Sequence, residues 1–174
     1  MRVLRWCNVL KEDLSAIDIN LLYTAAIFHD IGYGKSEDKT AHAEKSTEIF
    51  EEYARNHHLD INFTNKVAYL IKMHSNKRLL KDSDTIPELV ILMEADLLDE
   101  EGALRVVWYC ATKALQGADH YKDFVDYVQM GSAKRLENPM VTPLAKEIWN
   151  RKMELAERFM EEVYADIDMD ISFL

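Results

Sequence analysis

The chain has 174 residues, 48% of them hydrophobic, and a formal net charge of -10 at pH 7. This length suffices for one sizeable hydrophobic core and is short for two, so we expect one domain. The acidic balance argues against nucleic acid as a partner, because neutralising phosphates requires a basic surface. No stretch reaches the roughly 18 apolar residues of a membrane span, and the first residues lack a signal-peptide cleavage site. We therefore expect a cytoplasmic protein without a membrane partner.

Apolar residues recur at a spacing near 3.6 along nearly the whole chain, which predicts an all-α fold. Asp18, Thr40 and Thr142 are predicted N-caps, and the polar run from Ser75 to Thr85 interrupts the pattern. In chain order the predicted helices run roughly over Val3–Leu10, Asp18–His29, Thr40–Tyr53, Asn62 or Thr64–His74, Pro87–Asp99, Leu104–Leu115, Tyr121–Met130 and Thr142–Val163.

Residues of the types that bind metals fall on or beside the apolar faces of these helices, namely His29, Asp30, His42, His74 and Asp96. His29 and Asp30 are adjacent, and adjacent residues on a helix point about 100° apart. Both can reach one ion only where the helix ends, and we expect Gly32 and Gly34 to supply that ending. Mixed imidazole and carboxylate ligands suit Mn²⁺, Fe²⁺, Co²⁺, Ni²⁺ or Zn²⁺, and suit Mg²⁺ less well.

Each of these residues also has a plain structural interpretation. Asp96 can be a carboxylate near a helix end that pairs with a lysine, and His29 can be a core histidine beside a polar Asp30. Taken singly, His42 and His74 are more often first-turn or core histidines than ligands. Their occurrence together favours a metal site.

Basic residues cluster beside two of the histidines in this otherwise acidic chain. Lys35, Lys39 and Lys45 flank His42, and a second set flanks His74, namely Lys72, Lys77, Arg78 and Lys81. This pattern fits a small phosphorylated substrate, although solvated helix faces and loops would give the same pattern.

The ordered series of these motifs resembles the HD-domain superfamily of metal-dependent phosphohydrolases. The matching segments are Ala26–Gly32, Ala41–Ser46, Met73–Ser75 and Glu94–Asp99. Two later segments, Ser132–Leu136 and Ala156–Met160, are similar to the bacterial branch that includes nucleotide pyrophosphatase-like members. The resemblance implies a single HD-type helical bundle over residues 1–174, with the core motifs in 1–116 and the C-terminal helices of 117–174 packing on it.

The resemblance further implies a divalent metal between the helices, with His29, Asp30 and Asp96 at ligand positions. In branches with two metals, His42 and His74 would bind the second ion, and in branches with one metal they would face the substrate phosphate. The implied activity is hydrolysis of a phosphate ester or anhydride in a nucleotide-like molecule. The residues expected to act on its phosphate oxygens are His42, His74, Lys77 and Lys81. The alternatives are a di-iron HD-type oxygenase, or a catalytically impaired HD domain that binds a nucleotide or a partner.

One position departs from the family pattern. That pattern begins with a further ligand histidine, two residues before an Arg-Val pair on the first helix. Arg2 and Val3 match the pair, so this histidine would fall before Met1. We expect either a longer chain that carries the histidine or a site that lacks it. Loss of side chains that only orient metal ligands already lowers metal affinity or activity roughly 10–100-fold. Loss of a direct ligand would therefore put the activity of this chain in doubt.

Overall fold

The computed structural model describes residues 1–14, 16–35, 41–118, 120–121, 123–125 and 137–167, and all regular secondary structure in these ranges is helical. The α-helices are α1 Arg2–Leu10, α2 Ile19–Phe28, α3 His42–Asn56, α4 Ile61–Met73, α5 Pro87–Asp99, α6 Ala103–Leu115 and α7 Pro143–Ile167. Short 3₁₀ turns occur at Lys11–Asp13, Tyr33–Lys35 and Lys77–Lys81. The all-α prediction is confirmed, although most of the helix predicted over residues 121–130 lies outside the described residues.

The helix starts follow local capping chemistry. The Asp18 carboxylate accepts hydrogen bonds from the first free N–H groups of α2, as predicted for an N-cap. Asp60 does the same for α4 by accepting from the Phe63 N–H, so this helix begins slightly earlier than the apolar pattern indicated. Thr40, the predicted cap of the third helix, lies outside the described residues; α3 begins at His42, with Ala41 in the cap position and no side-chain cap hydrogen bond.

The chain divides into two compact units. The first comprises Met1–Asp99 with Met140–Ala145, and the second comprises Glu100–Pro139 with Lys146–Leu174. Helix α6 belongs to the second unit, and the core boundary at residue 116 stays a prediction. Gly102 and Gly117, at the two ends of α6, both adopt a positive φ, +88° and +89°, a conformation that glycine adopts without strain. Packing of residues 117–174 on the core stays a prediction.

Helix α5 is the centre of the first unit. It packs against α1, α2 and α4, and its residues from Glu88 to Leu98 are buried, apart from a partly exposed Asp96. A helix that is apolar on nearly every face must be surrounded by protein. The carboxylate of Asp96 therefore projects from the most enclosed helix of the unit.

A buried carboxylate ties the start of α7 to α5 within the first unit. Glu94 is fully buried and accepts hydrogen bonds from the Val141 N–H at 2.6 Å and the Thr142 N–H at 2.9 Å. The Thr142 hydroxyl donates a third bond to the same carboxylate at 2.6 Å. These bonds satisfy N–H groups that a helix start leaves without partners. No helix in the described ranges is long and apolar enough to cross a membrane.

Candidate metal centre

The end of α2 orients His29. The helix ends at Phe28, and the His29 N–H closes the last turn on the Ala25 carbonyl at 2.8 Å. The ring Nδ1 lies 2.9 Å from the Ala26 carbonyl, which can only accept a hydrogen bond. Nδ1 therefore carries the proton that it donates to Ala26, and Nε2 faces the site as the potential ligand atom.

His74 is held in the same way at the end of α4. Its N–H bonds to the Leu70 carbonyl at 3.0 Å, and its Nδ1 donates to the Ile71 carbonyl at 2.6 Å. The side chain is 1% exposed, so its orientation is fixed by the surrounding protein. Two helix ends thus present two imidazoles with Nε2 directed inward, which is how histidine ligands are commonly supported.

A close approach of two backbones brings α3 to Asp30. The Gly32 N–H donates to the Ser46 hydroxyl at 2.9 Å. A Cβ at Gly32 would lie 2.5 Å from the His42 carbonyl oxygen and 2.6 Å from the Ser46 nitrogen. Only glycine fits there, because both atoms belong to the backbone of α3. Gly32 and Gly34 follow the end of α2, as expected, but neither has a positive φ, so they do not end the helix through the left-handed conformation that favours glycine.

The Asp30 carboxylate is the hub of the site. Its Oδ1 lies 3.5 Å from His42 Nε2 and 3.4 Å from His74 Nε2. The two histidine Nε2 atoms are 3.3 Å apart. These three side chains form one group whose potential ligand atoms all lie within 4.8 Å of one another.

The same carboxylate belongs to a second group. Asp30 Oδ2 lies 3.3 Å from His29 Nε2, and Asp96 Oδ1 lies 3.8 Å from that nitrogen. These three residues again offer ligand atoms within 4.8 Å of one another. The five histidine and aspartate residues named from the sequence therefore converge as two groups that share Asp30.

The donor set fits a cation. His29 Nε2 is buried and makes no hydrogen bond, although it faces the carboxylates of Asp30 and Asp96. Burial lowers the pKa of His29, but these carboxylates outweigh it and raise the pKa above its ordinary value. Burial raises the pKa of Asp30, yet the attraction of the nearby His29 and His74 imidazoles outweighs burial and brings the pKa well below its usual range. An electron pair that faces two carboxylates at such distances favours a proton or a metal ion between them.

The predicted lysines differ in position. Lys77 Nζ donates to Asp96 Oδ2 at 2.5 Å and to the Met93 carbonyl at 3.4 Å. Asp96 is therefore paired with a lysine, as its structural interpretation required, while its other oxygen faces His29. Lys81 is exposed at the end of the same 3₁₀ turn, because a separation of four residues turns it away from Lys77. Lys45 pairs with Glu48 at 2.7 Å.

An aromatic residue that the sequence did not single out adjoins the site. The Tyr33 ring stacks on the His42 ring with centroids 4.2 Å apart and an interplanar angle of 12°. Its position three residues after Asp30 was the available signal, since a short turn there must stay near the carboxylate. A tyrosine in a turn carries no periodicity, however, and pattern alone does not distinguish it.

The sequence of residues 1–101 matches the family model of the HD domain. This match spans more than half of the chain, so the chain belongs to the HD domain family, whose members are typically metal-dependent phosphohydrolases. Over 102 residues it is 32% identical to the bifunctional uridylyltransferase/uridylyl-removing enzyme of Haemophilus influenzae. That alignment covers 55% of this chain and 12% of the relative, so the chain corresponds to a small part of that protein.

Two solved structures share the fold. The Lin1889 protein of Listeria innocua superposes with a TM-score of 0.71 at 15% identity, over 97% of this chain and 86% of its own. A protein from Lactobacillus plantarum superposes with a TM-score of 0.63 at 17% identity, over 97% of this chain and 85% of its own. At such identities the similarity establishes the fold alone.

Proposed function

We propose that this protein is a metal-dependent phosphohydrolase that cleaves a phosphate ester or anhydride in a nucleotide-like small molecule. The observation that carries the proposal is the pair of His/Asp groups that share the Asp30 carboxylate. Membership of the HD domain family supports hydrolysis. The uridylyl-removing activity named for the Haemophilus influenzae relative supports a substrate that contains a nucleotide.

His29, Asp30 and Asp96 would hold one divalent ion, and His42 and His74 together with Asp30 would hold a second. The mixture of imidazole and carboxylate donors favours Mn²⁺, Fe²⁺, Co²⁺, Ni²⁺ or Zn²⁺ over Mg²⁺. When bound, such an ion supplies a water of lowered pKa and polarises a phosphoryl oxygen. The same donors would suit a di-iron oxygenase, which oxygen-dependent turnover would identify.

The chain's own residues would orient the phosphate and stabilise its charge. With one ion bound, the inward edges of His42 and His74 beside Asp30 would form hydrogen bonds with the phosphate group, and their burial would strengthen such bonds. Lys77 would act on the site through its bond to Asp96. Lys81 as a direct phosphate contact stays a prediction that its exposed position does not support.

A comparison of two histidine variants tests the proposal. His57 is a matched control for His74, because its Nδ1 also lies 2.8 Å from a carbonyl at a helix end, that of Tyr53, but its side chain is exposed. The assay is phosphate release from nucleotides and simple phosphate esters by chelator-treated protein, before and after addition of Mn²⁺. We expect metal-dependent release that His74→Gln lowers by about 10²–10⁴-fold per folded molecule. His57→Gln should leave it unchanged.

Three results would redirect the proposal. Hydrolysis that persists in chelator, or that survives in His74→Gln per folded molecule, would contradict a metal site of this composition. Oxygen consumption coupled to turnover would identify the oxygenase. Metal and nucleotide binding without any turnover would favour the impaired HD domain that only binds its ligand.

A further inference from the structure

The ring of Tyr33 stacks on His42, one of the residues proposed to contact the second ion or the phosphate. It opens the 3₁₀ turn Tyr33–Lys35 that follows Asp30 and covers one face of the His42 imidazole. The Nε2 edge of that imidazole faces Asp30 and His74. A phosphate held at this edge would therefore leave the rest of its molecule beside an aromatic ring.

Tyr33 and its neighbour are also open to solvent. The Tyr33 residue is 46% exposed and Ile31 is 45% exposed, whereas His42 is 8% exposed. Single exposed apolar residues are common on protein surfaces. Here two exposed apolar residues follow Asp30 within three positions, and the Tyr33 ring contacts His42 of the buried polar cluster. Apolar surface next to a few polar groups is typical of small-molecule sites.

We infer that Tyr33 is a stacking subsite for the planar base of a nucleotide whose phosphate binds at Asp30, His42 and His74. This inference rests on the proposed function and specifies the part of the substrate that is not phosphate. An aromatic platform accepts any base, because every base has a π-face, and each such stack stabilises binding appreciably. The subsite therefore favours nucleotides over sugar phosphates without selecting one base.

The test compares two ligands that differ only in the base. The probes are phosphonate isosteres of AMP and of ribose 5-phosphate, in which CH₂ replaces the bridging ester oxygen so that neither is cleaved. Their dissociation constants are measured by titration calorimetry on Mn²⁺-loaded protein. We expect the AMP isostere to bind about 10-fold more tightly, a preference typical of one base–aromatic stack.

Three variants separate stacking from a structural role. Tyr33→Leu should abolish the preference for the AMP isostere while leaving the affinity of the ribose isostere unchanged, and Tyr33→Phe should retain the preference. Tyr69→Leu is the matched control, because Tyr69 is 45% exposed on α4. It should behave as the unmodified protein does.

The possible failures are distinguishable. Equal binding of the two isosteres to the unmodified protein, or a preference that survives in Tyr33→Leu, overturns the subsite and leaves the proposed function standing. If Tyr33→Leu weakens the binding of both isosteres equally, Tyr33 only positions His42, and the stacking subsite is overturned. Failure of the unmodified protein to bind either isostere contradicts the proposed function itself, and the subsite with it.

Discussion

Replacing Lys77 by methionine tests how the charge of Asp96 is balanced. The ammonium lies 2.5 Å from Asp96 Oδ2, and the lysine and aspartate side chains are 28% and 13% exposed. Lys77→Met keeps most of the apolar stem but leaves a largely buried carboxylate without its cation. A hydrogen bond to a charged group contributes about 1.5–3 kcal/mol. Because water can reach part of this site, we expect a loss near the lower end, about 1–2 kcal/mol.

A bound metal ion should reduce that loss. In metal-free protein, the expected free-energy loss corresponds to a fall in Tm of about 2–8 °C for a chain of this size. With Mn²⁺ present, the ion neutralises Asp96 and replaces the missing ammonium. By linkage, Lys77→Met should then bind Mn²⁺ more tightly. Without Lys77, the Asp96 side chain regains rotamer freedom in the metal-free protein and loses it again when Mn²⁺ binds, at a cost of about 0.5–1 kcal/mol. We therefore expect Lys77→Met to bind Mn²⁺ only about 2- to 5-fold more tightly.

The assay is thermal unfolding with and without Mn²⁺, together with a Mn²⁺ titration of each protein. Lys66→Met is the control, because Lys66 is exposed on α4. It should shift Tm by no more than about 2 °C in either condition. If Lys77→Met lost the same Tm with and without Mn²⁺, or bound Mn²⁺ more weakly than the unmodified protein, the charge-balance reasoning would be refuted.

Three further changes probe the supporting structure. Gly32→Ala should destabilise the fold by about 2–4 kcal/mol in urea unfolding and weaken Mn²⁺ binding, because the added Cβ meets the α3 backbone. Gly34→Ala is the control, because no described atom lies within 4 Å of its Cβ, and its free energy of unfolding should change by no more than about 1 kcal/mol. Glu94→Gln should lose about 1–3 kcal/mol in the same assay, since an amide cannot match the three donors there, and an unchanged midpoint would contradict that role. Burial, reinforced by the charge of Asp96, raises the pKa of Cys7 to about 12. The folded thiol should therefore resist iodoacetamide at pH 8.5 until urea is added. Stability relative to Cys7→Ala should fall by up to about 1.4 kcal/mol per pH unit above 9, where the unfolded thiol ionises first.

Much of the site could be predicted because its chemistry interrupts a helical pattern. Asp96 stands where α5 would otherwise carry an apolar residue, and the adjacent His29 and Asp30 can converge only at a helix end. The structure places α2's end at Phe28 and brings all three residues together. Periodicity thus indicated residues that face inward, and residue type indicated that they could bind a metal.

Other features depend on contacts that periodicity does not encode. The bond from Lys77 to Asp96 and the three bonds to Glu94 join residues at least 19 positions apart in the sequence. Glu94 resembles any helical glutamate until its burial is known. Gly32 was expected to help end α2, and its close contact with the backbone of α3 could not be foreseen from the sequence.

The most direct test of the central claim is the metal content of an Asp30 variant. Asp30→Asn keeps the shape of the side chain but removes the charge shared by both ligand groups. Asp60→Asn is the matched control, because asparagine caps a helix as well as aspartate does and Asp60 caps α4. We expect Mn²⁺ to remain bound to the unmodified protein and to Asp60→Asn after gel filtration, as measured by elemental analysis. Asp30→Asn should lose affinity by more than about 100-fold and emerge without metal. Equal metal content in all three proteins would contradict a metal centre built around Asp30.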